Sequence, residues 1–237
     1  MTGGGRVAIV QSSYVPWRGT FAMIARCDAF VFLDSVQFTR SDWRSRNRIK
    51  TPQGLLWLSI PVKHNFLAPI DAIEIAKPGW ARKHLRSIEE AYCRGAGFRE
   101  SIAAVREAYA AVAEEPMLSL INQRLMRALC AMLGITTPLL RDVDLLPREM
   151  LRALDRNARV VTLAAAAGAR RYLSGPTAQC YLDQDCFAAH GIAVEWMSYA
   201  GLPRYPQLWG EFEPSVSIVD PLLTLGPGKT REMLDEQ

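Results

Sequence analysis

The residues Ala29-Phe30-Val31-Phe32-Leu33 form an unbroken apolar run of strand length that stops at Asp34. A half-exposed strand alternates apolar and polar positions, whereas a run with no polar position is buried on both faces and needs helices on each side of its sheet. Upstream, the β-branched run 7–10 reads as a strand that ends at Gln11, Ser12 and Ser13, and 19–26 places Phe21, Ile24 and Ala25 at helical spacing. Strand, short helix and buried strand predict a β-α-β start and an α/β fold. Between the first two, Tyr14-Val15-Pro16-Trp17 reads as a loop, because the residue before a proline is pushed to extended angles.

Further strands are predicted at 55–62, after the turn signal Thr51-Pro52-Gln53-Gly54, and at 70–75. The middle of the chain is helical, with three- and four-residue apolar spacing over 79–92, 98–113 and 117–133 and a stop at Gly134. A longer helix is expected from Pro147 to Ala167, then a brief strand at Tyr172-Leu173, a helix over 181–189 and a strand over 192–199. Beyond Ala200 the chain reads as proline-containing loop. With 237 residues, 49% of them hydrophobic, the chain can close one core. The expectation is one catalytic domain over 1–237, a mixed sheet with a helical middle segment, and flexible ends at 1–6 and 228–237.

No apolar stretch approaches membrane-spanning length and no cleavable leader is visible, so a cytoplasmic protein without a membrane partner is expected. Five cysteines without a CxxC pair suggest neither a disulfide framework nor a zinc ribbon. His64, His84 and His190 lack metal-ligand spacing, so no metal is expected. A net charge of +4 is too mild for a nucleic-acid protein. Its excess is nevertheless local: Arg40, Arg44, Arg46, Arg48 and Lys50 are opposed only by Asp42, and Arg82, Lys83 and Arg86 follow. Such a run is either a solvated face or a docking or substrate-phosphate surface. There is no GxxxxGK[ST] loop, no GxGxxG and no GxSxG elbow, which argues against nucleotide-driven chemistry and against a serine hydrolase.

The polar residues cluster in a recognisable order. Gln11-Ser12-Ser13-Tyr14-Val15-Pro16-Trp17-Arg18-Gly19, Phe32-Leu33-Asp34-Ser35-Val36-Gln37-Phe38 and Trp43-Arg44-Ser45-Arg46-Asn47-Arg48-Ile49 resemble the WbqC-like family. Trp80 to Phe98, Tyr172-Leu173-Ser174-Gly175, Tyr205-Pro206-Gln207 and Ser217-Ile218-Val219-Asp220 extend the likeness over about residues 7–226. Three positions depart from that pattern: Val10, Ser12 and Cys27. The resemblance implies amide formation, an aminoacyl group held as a carrier-protein thioester being passed to the amine of an amino sugar. Among antibiotic-pathway members the chain most resembles the amide-condensing enzymes of lincosamide assembly. An acyl or peptidyl carrier protein is the implied partner. Its phosphopantetheine arm supplies the only prosthetic group, with no intrinsic cofactor.

A thioester is already activated, so the reaction needs positioning, a base for the amine and donors for the oxyanion, but no ATP. Cys27 is the candidate nucleophile for an acyl relay, lying in sequence between the two polar clusters, although its spacing from Phe21 and Ile24 equally suits a core thiol. His84 is the first candidate base, His64 the second, and Asp34 a carboxylate that orients a histidine or accepts the substrate ammonium. Substrate contacts are expected from Gln11, Tyr14, Trp17, Gln37, Trp43, Arg46, Asn47, Ser174, Tyr205, Gln207 and Asp220. Arg46 suits a phosphate or carboxylate, Asn47 an oxyanion, and the loop aromatics a sugar face. The alternatives are a thiol-dependent hydrolase or amidase and a non-catalytic sugar-binding protein of the same pathway.

Overall fold

The computed structural model describes residues 5–63, 65 and 67–236. Five strands form a wholly parallel sheet: β1 (Gly5–Val10), β2 (Ala29–Phe32), β5 (Leu139–Arg141), β6 (Ala169–Ser174) and β7 (Ala193–Trp196), in the order β5-β2-β1-β6-β7. Helix α1 (Arg18–Ala25) joins β1 to β2, which is the expected β-α-β start. Alternation along the strands divides the interior. Ala8, Phe30 and Phe32 pack into a large core with α1, α2 (Trp80–Tyr92), α3 (Phe98–Ala110) and α4 (Leu118–Met132). Val7, Ile9, Val31 and Tyr172 face a second core under α6 (Arg148–Ala153), α7 (Arg156–Ala166) and α8 (Gln184–Ala189). Helices therefore cover both faces of the sheet, as the apolar run at 29–33 required.

The mixture of strand directions is divided between two sheets. The antiparallel pair β3 (Arg46–Thr51) and β4 (Gly54–Ser59) stands apart from the parallel five, joined by the turn at Pro52-Gln53, with Gly54 at φ 109°. No strand was expected at residues 46–51, four of which are charged or amide-bearing. The structure instead alternates them, with Asn47 and Ile49 buried and Arg46 and Arg48 half-exposed. Residues 70–75 are not a strand: Ile70–Ala72 is a 3-10 turn, and only isolated bridges form at Glu74 and Ile75.

The expected helix 147–167 is two helices. Asp155 caps α7 by accepting a hydrogen bond from the Ala158 N–H, which ends the preceding helix and points the first turn of α7 elsewhere. The 181–189 helix is likewise shorter, a 3-10 turn Pro176–Cys180 preceding α8. Strand β5 and the short helix α5 (Asp142–Leu145) were not expected. At the ends expected to be flexible, Gly5 and Arg6 belong to β1, and Pro227–Asp235 forms helix α10 with Met233 and Leu234 buried. Helix α9 (Val219–Leu225) precedes it within the stretch read as loop.

The junction of α9 and α10 lies against the start of α3, and a glycine permits the approach. A Cβ on Gly97 would sit 2.1 Å from the Gly226 nitrogen, which is backbone and cannot swing aside. Gly97→Ala is therefore expected to lower the unfolding free energy by about 1–3 kcal/mol, the usual range for overpacking, with a corresponding fall in Tm by calorimetry.

Candidate functional site

The chain leaves β1 for β2 and β5 on one side and returns to β6 and β7 on the other, so the sheet order reverses at β1. Where parallel strands diverge like this, the crevice beyond their carboxyl ends is left uncovered. A cavity of about 870 Å³ lies there. Its floor is Val10, Gln11 and Ser13 after β1, with Leu33 and Gln37 after β2 and Ser174 and Gly175 after β6. Trp17, Trp43, Tyr181 and Tyr199 contribute rings, and Trp17 meets Tyr199 edge-on at 4.8 Å. Gly19 leaves room for that indole, since a Cβ would come within 2.3 Å of it. Asn47 and Arg44 lie on the hairpin side, and Arg156, Asn157 and Arg159 come from the first turn of α7. Among the described residues, the lining contains no cysteine, histidine, aspartate or glutamate.

The loop after β1 is buried although it is irregular, with Ser12, Tyr14 and Val15 at 0–1% exposure. Its backbone groups must therefore find partners without water. Asp34 accepts from the Ser12 N–H at 2.8 Å. Arg44 donates to the Gln11 and Ser12 carbonyls at 3.0 and 3.3 Å. The Tyr14 N–H donates to the Trp43 carbonyl, and the Ile218 N–H to that of Pro16. Asn47 donates to the carbonyls of both Tyr14 and Val15, at 3.1 and 2.9 Å, and the Ser217 hydroxyl also donates to that of Val15. This clamp holds Val15 at φ 34°, a left-handed angle for a β-branched residue instead of the extended one expected before a proline.

Several expected site residues are spent on this scaffold. Asp34, 1% exposed, accepts a second bond from Gln123 at 2.8 Å, and burial raises its carboxyl to about 6. It belongs to the floor beneath the cleft and does not reach a histidine. The amide of Asn47 is committed to carbonyls, so it is not an oxyanion donor. Tyr14 is sealed in the core, its hydroxyl between His84 Nδ1 at 2.8 Å and Tyr109 at 2.7 Å. His84 is not a base of the cleft either. Burial pushes its imidazole down to about 4, against a smaller opposing effect of a backbone hydrogen bond at Ser59. His84 Nδ1, the Tyr14 hydroxyl and the Tyr109 hydroxyl thus form a buried hydrogen-bonded chain of three neutral groups. His64, the second candidate, lies outside the described residues.

Cys27 occupies the core after α1, at 7% exposure, and burial raises its thiol to about 12. It does not line the cavity, and a thiol so disfavoured as thiolate is a poor nucleophile. This corrects the expected acyl relay and removes the basis for a Cys27-dependent hydrolase. Cys130 is likewise buried packing. Tyr205, Gln207 and Asp220 form a buried knot away from the cleft. The Asp220 carboxylate accepts from Tyr92 and Tyr205, each at 2.7 Å, and Gln207 donates to Tyr205 and accepts from Lys50. They tie the segment after β7 to α2 and β3. The basic run also divides. Lys50 is buried in that knot and Arg44 in the floor, while Arg46 lies over the Trp57 ring at 4.4 Å beside Trp43, facing outward from the hairpin.

Of the expected contacts, Gln11, Trp17, Gln37, Trp43, Asn47 and Ser174 do reach the cleft. Arg156, Asn157, Arg159, Thr177, Tyr181 and Tyr199 were missed. The first three looked like the middle of one long helix, and Asp155 as a helix cap was the signal that could have placed them at an open end. No three His, Cys, Asp or Glu side chains converge as a metal site, and no helix is long and apolar enough to cross a membrane, among the described residues.

The model of the WbqC-like protein family matches residues 11–232. The chain is 43% identical over 223 residues to the uncharacterised protein Rv1507c of Mycobacterium tuberculosis, covering 93% of this chain and 94% of that one. No solved structure gives a significant match.

Two outcomes follow from the buried polar groups. Asn47→Ala leaves the Tyr14 carbonyl unpartnered and is expected to cost about 1–3 kcal/mol in chemical denaturation. Asn47→Asp, of the same shape but unable to donate, should cost as much. In the pH dependence, His84 is held near 4 in the folded chain against 6.5 unfolded, so it removes stability as pH falls between those values. Asp34, held near 6 against 3.8, acts in the opposite sense over nearly the same window. His84→Gln should therefore gain relative to the parent by roughly 3 kcal/mol between pH 7 and pH 4. Parallel denaturation curves at the two pH values would refute the neutral buried imidazole.

Proposed function

The chain belongs to the WbqC-like protein family, and on that premise we propose that it is an ATP-independent acyltransferase. It joins an aminoacyl group, delivered as a carrier-protein thioester, to the amine of an amino sugar by direct aminolysis. The observation that carries this reading is the cleft itself. Its volume of about 870 Å³ suits two substrates meeting, and its aromatic rings and neutral amides and hydroxyls suit a sugar. The lining offers positioning groups and no thiol relay.

The step balances without a protein nucleophile. The sugar amine attacks the thioester carbon, a C–N bond forms, the C–S bond breaks, and the leaving thiolate takes the proton that the nitrogen sheds. A thiol has a pKa of about 8.5, so the thiolate expelled from the tetrahedral adduct is a strong enough base to take the proton of its cationic amine. Here the protein contributes proximity, worth up to several kcal/mol, and uncharged donors for the oxyanion. Gln11 just past the end of β1 flanks the crevice and is assigned that role, while Ser174 at the end of β6, whose hydroxyl donates to Tyr172, shapes the opposite side. The outward hairpin face suits a carrier. Trp43, Leu55 and Trp57 are exposed beside Arg46 and Arg48, an apolar and cationic surface at the cleft's edge that complements an acidic protein.

The test uses the full chain with an aminoacyl-loaded carrier and an amino-sugar acceptor. Amide should form without ATP, intact mass spectrometry should find no acylated protein, and Cys27→Ser should retain turnover within about threefold, as expected of a residue outside the chemistry. A covalent adduct lost on replacing one cysteine would overturn direct aminolysis. A requirement for ATP, or thioester hydrolysis with no amide, would overturn the acyl-transfer reading.

A further inference from the structure

We propose that the end of the cleft built by the first turn of α7 and the segment after β6 is a phosphate-binding subsite, which takes a phosphate ester carried by one of the substrates. The inference stands on the charge of this wall and does not require the acyl-transfer reading to be correct.

Arg156, Asn157 and Arg159 line the cavity from α7, and Thr177 and Tyr181 face it from the segment after β6. Several arginines are matched to acids, among them Arg6 to Glu195, Arg48 to Glu213, Arg106 to Glu89, Arg124 to Glu115 and Arg148 to Asp71, while others such as Arg18, Arg127 and Arg204 have no ion pair among the described residues and do not line the cavity. Arg156 and Arg159 have no ion pair of this kind among the described residues. Arg159 is nevertheless fixed. Its Nε donates to the Leu151 carbonyl at 2.6 Å and its Nη2 to that of Leu154 at 2.7 Å, the carbonyls closing α6. Nη1 is left for a ligand, on a guanidinium whose ordering the fold has already met. Arg156 lies over the Tyr181 ring at 5.1 Å, leaving its planar fork to meet oxygens. The side chain of Asn157 accepts from the Asp183 N–H, so its amide donors remain.

The nearest acids are already engaged. Asp155 accepts from the Ala158 N–H, and Asp183 from the N–H groups of Asp185 and Cys186. Neither lines the cavity. Two guanidinium groups with amide and hydroxyl donors, and no carboxylate among the described lining residues, match the several oxygens of a phosphate better than the one or two of a sugar hydroxyl. Helix α7 adds the positive end of its dipole to the same wall. Phosphate of this kind comes either from the pantetheine arm of a carrier or from the diphosphate of a nucleotide-linked sugar.

Calorimetric titration of the full chain separates these sources. The probes are 4′-phosphopantetheine against pantetheine, and uridine diphosphate against uridine. Expected is a preference of about tenfold or more for the phosphorylated member of at least one pair, as a charge-assisted contact supplies, weakening with added salt. The pair that shows it names the source. Arg156→Gln, which breaks no hydrogen bond of the fold, and Asn157→Asp, which adds a negative charge, should each abolish the preference while thermal unfolding confirms a folded chain. Equal affinities within both pairs, or a preference kept in both variants, would overturn the subsite. Since no turnover is read, failure here is distinct from failure of amide formation.

Discussion

The segment that follows β1 is buried and irregular, and its backbone cannot use water. That constraint organises the middle of the molecule. Six residues pass beneath the cleft, with the N–H groups of Ser12 and Tyr14 and the C=O groups of Gln11, Ser12, Tyr14, Val15 and Pro16 met by Asp34, Arg44, Asn47, Ser217 and the backbone of Trp43 and Ile218. Each unmet group would cost about 1–3 kcal/mol, so several together would exceed a good part of a domain's net stability. The partners come from remote parts of the chain. Position 34 follows β2, 44 and 47 bracket the start of the hairpin, and 217 precedes α9. The loop is what brings the hairpin and the C-terminal helices onto the sheet.

Reversal of strand order at β1 then sets where a ligand fits. The loop forms the floor of the crevice, and holding Val15 at a left-handed angle turns the chain so that Trp17 rises into it against Tyr199. The opposite wall depends on the break between α6 and α7. Had residues 147–167 stayed one helix, Arg156 and Arg159 would sit mid-helix; the cap at Asp155 places them in a first turn instead.

The β-α-β start and the double helical cover were legible because they depend on apolar periodicity, which the runs at 7–10 and 29–33 carry openly. The three middle helices were legible for the same reason. What escaped was structure set by polar residues in long-range contact. Strand β3 hides behind Arg46, Asn47 and Arg48 because its inward position 47 is an amide, there to serve carbonyls 32 and 33 positions earlier. The likeness to the WbqC-like family pointed to segments from which Gln11, Trp17, Gln37, Trp43, Asn47 and Ser174 line one cleft. It could not separate side chains that face a ligand from those that face the backbone, since both kinds are polar and cluster in the same stretches.

That separation has a physical criterion. A group whose lone pairs or protons are already consumed by the fold has little left for a substrate, and drawing it away would orphan a buried partner. Asp34, Asn47, Tyr14, His84 and Asp220 all fail on this ground, each with its hydrogen bonds placed and its surroundings closed. Cys27 fails on a related one, since burial holds its proton on. Arg156 and the amide nitrogen of Asn157 pass, because they line open space and the scaffold does not consume them. Arg159 shows how both demands are met by one residue: two of its nitrogens finish the end of α6, and the side chain so fixed lines the cleft with Nη1 uncommitted.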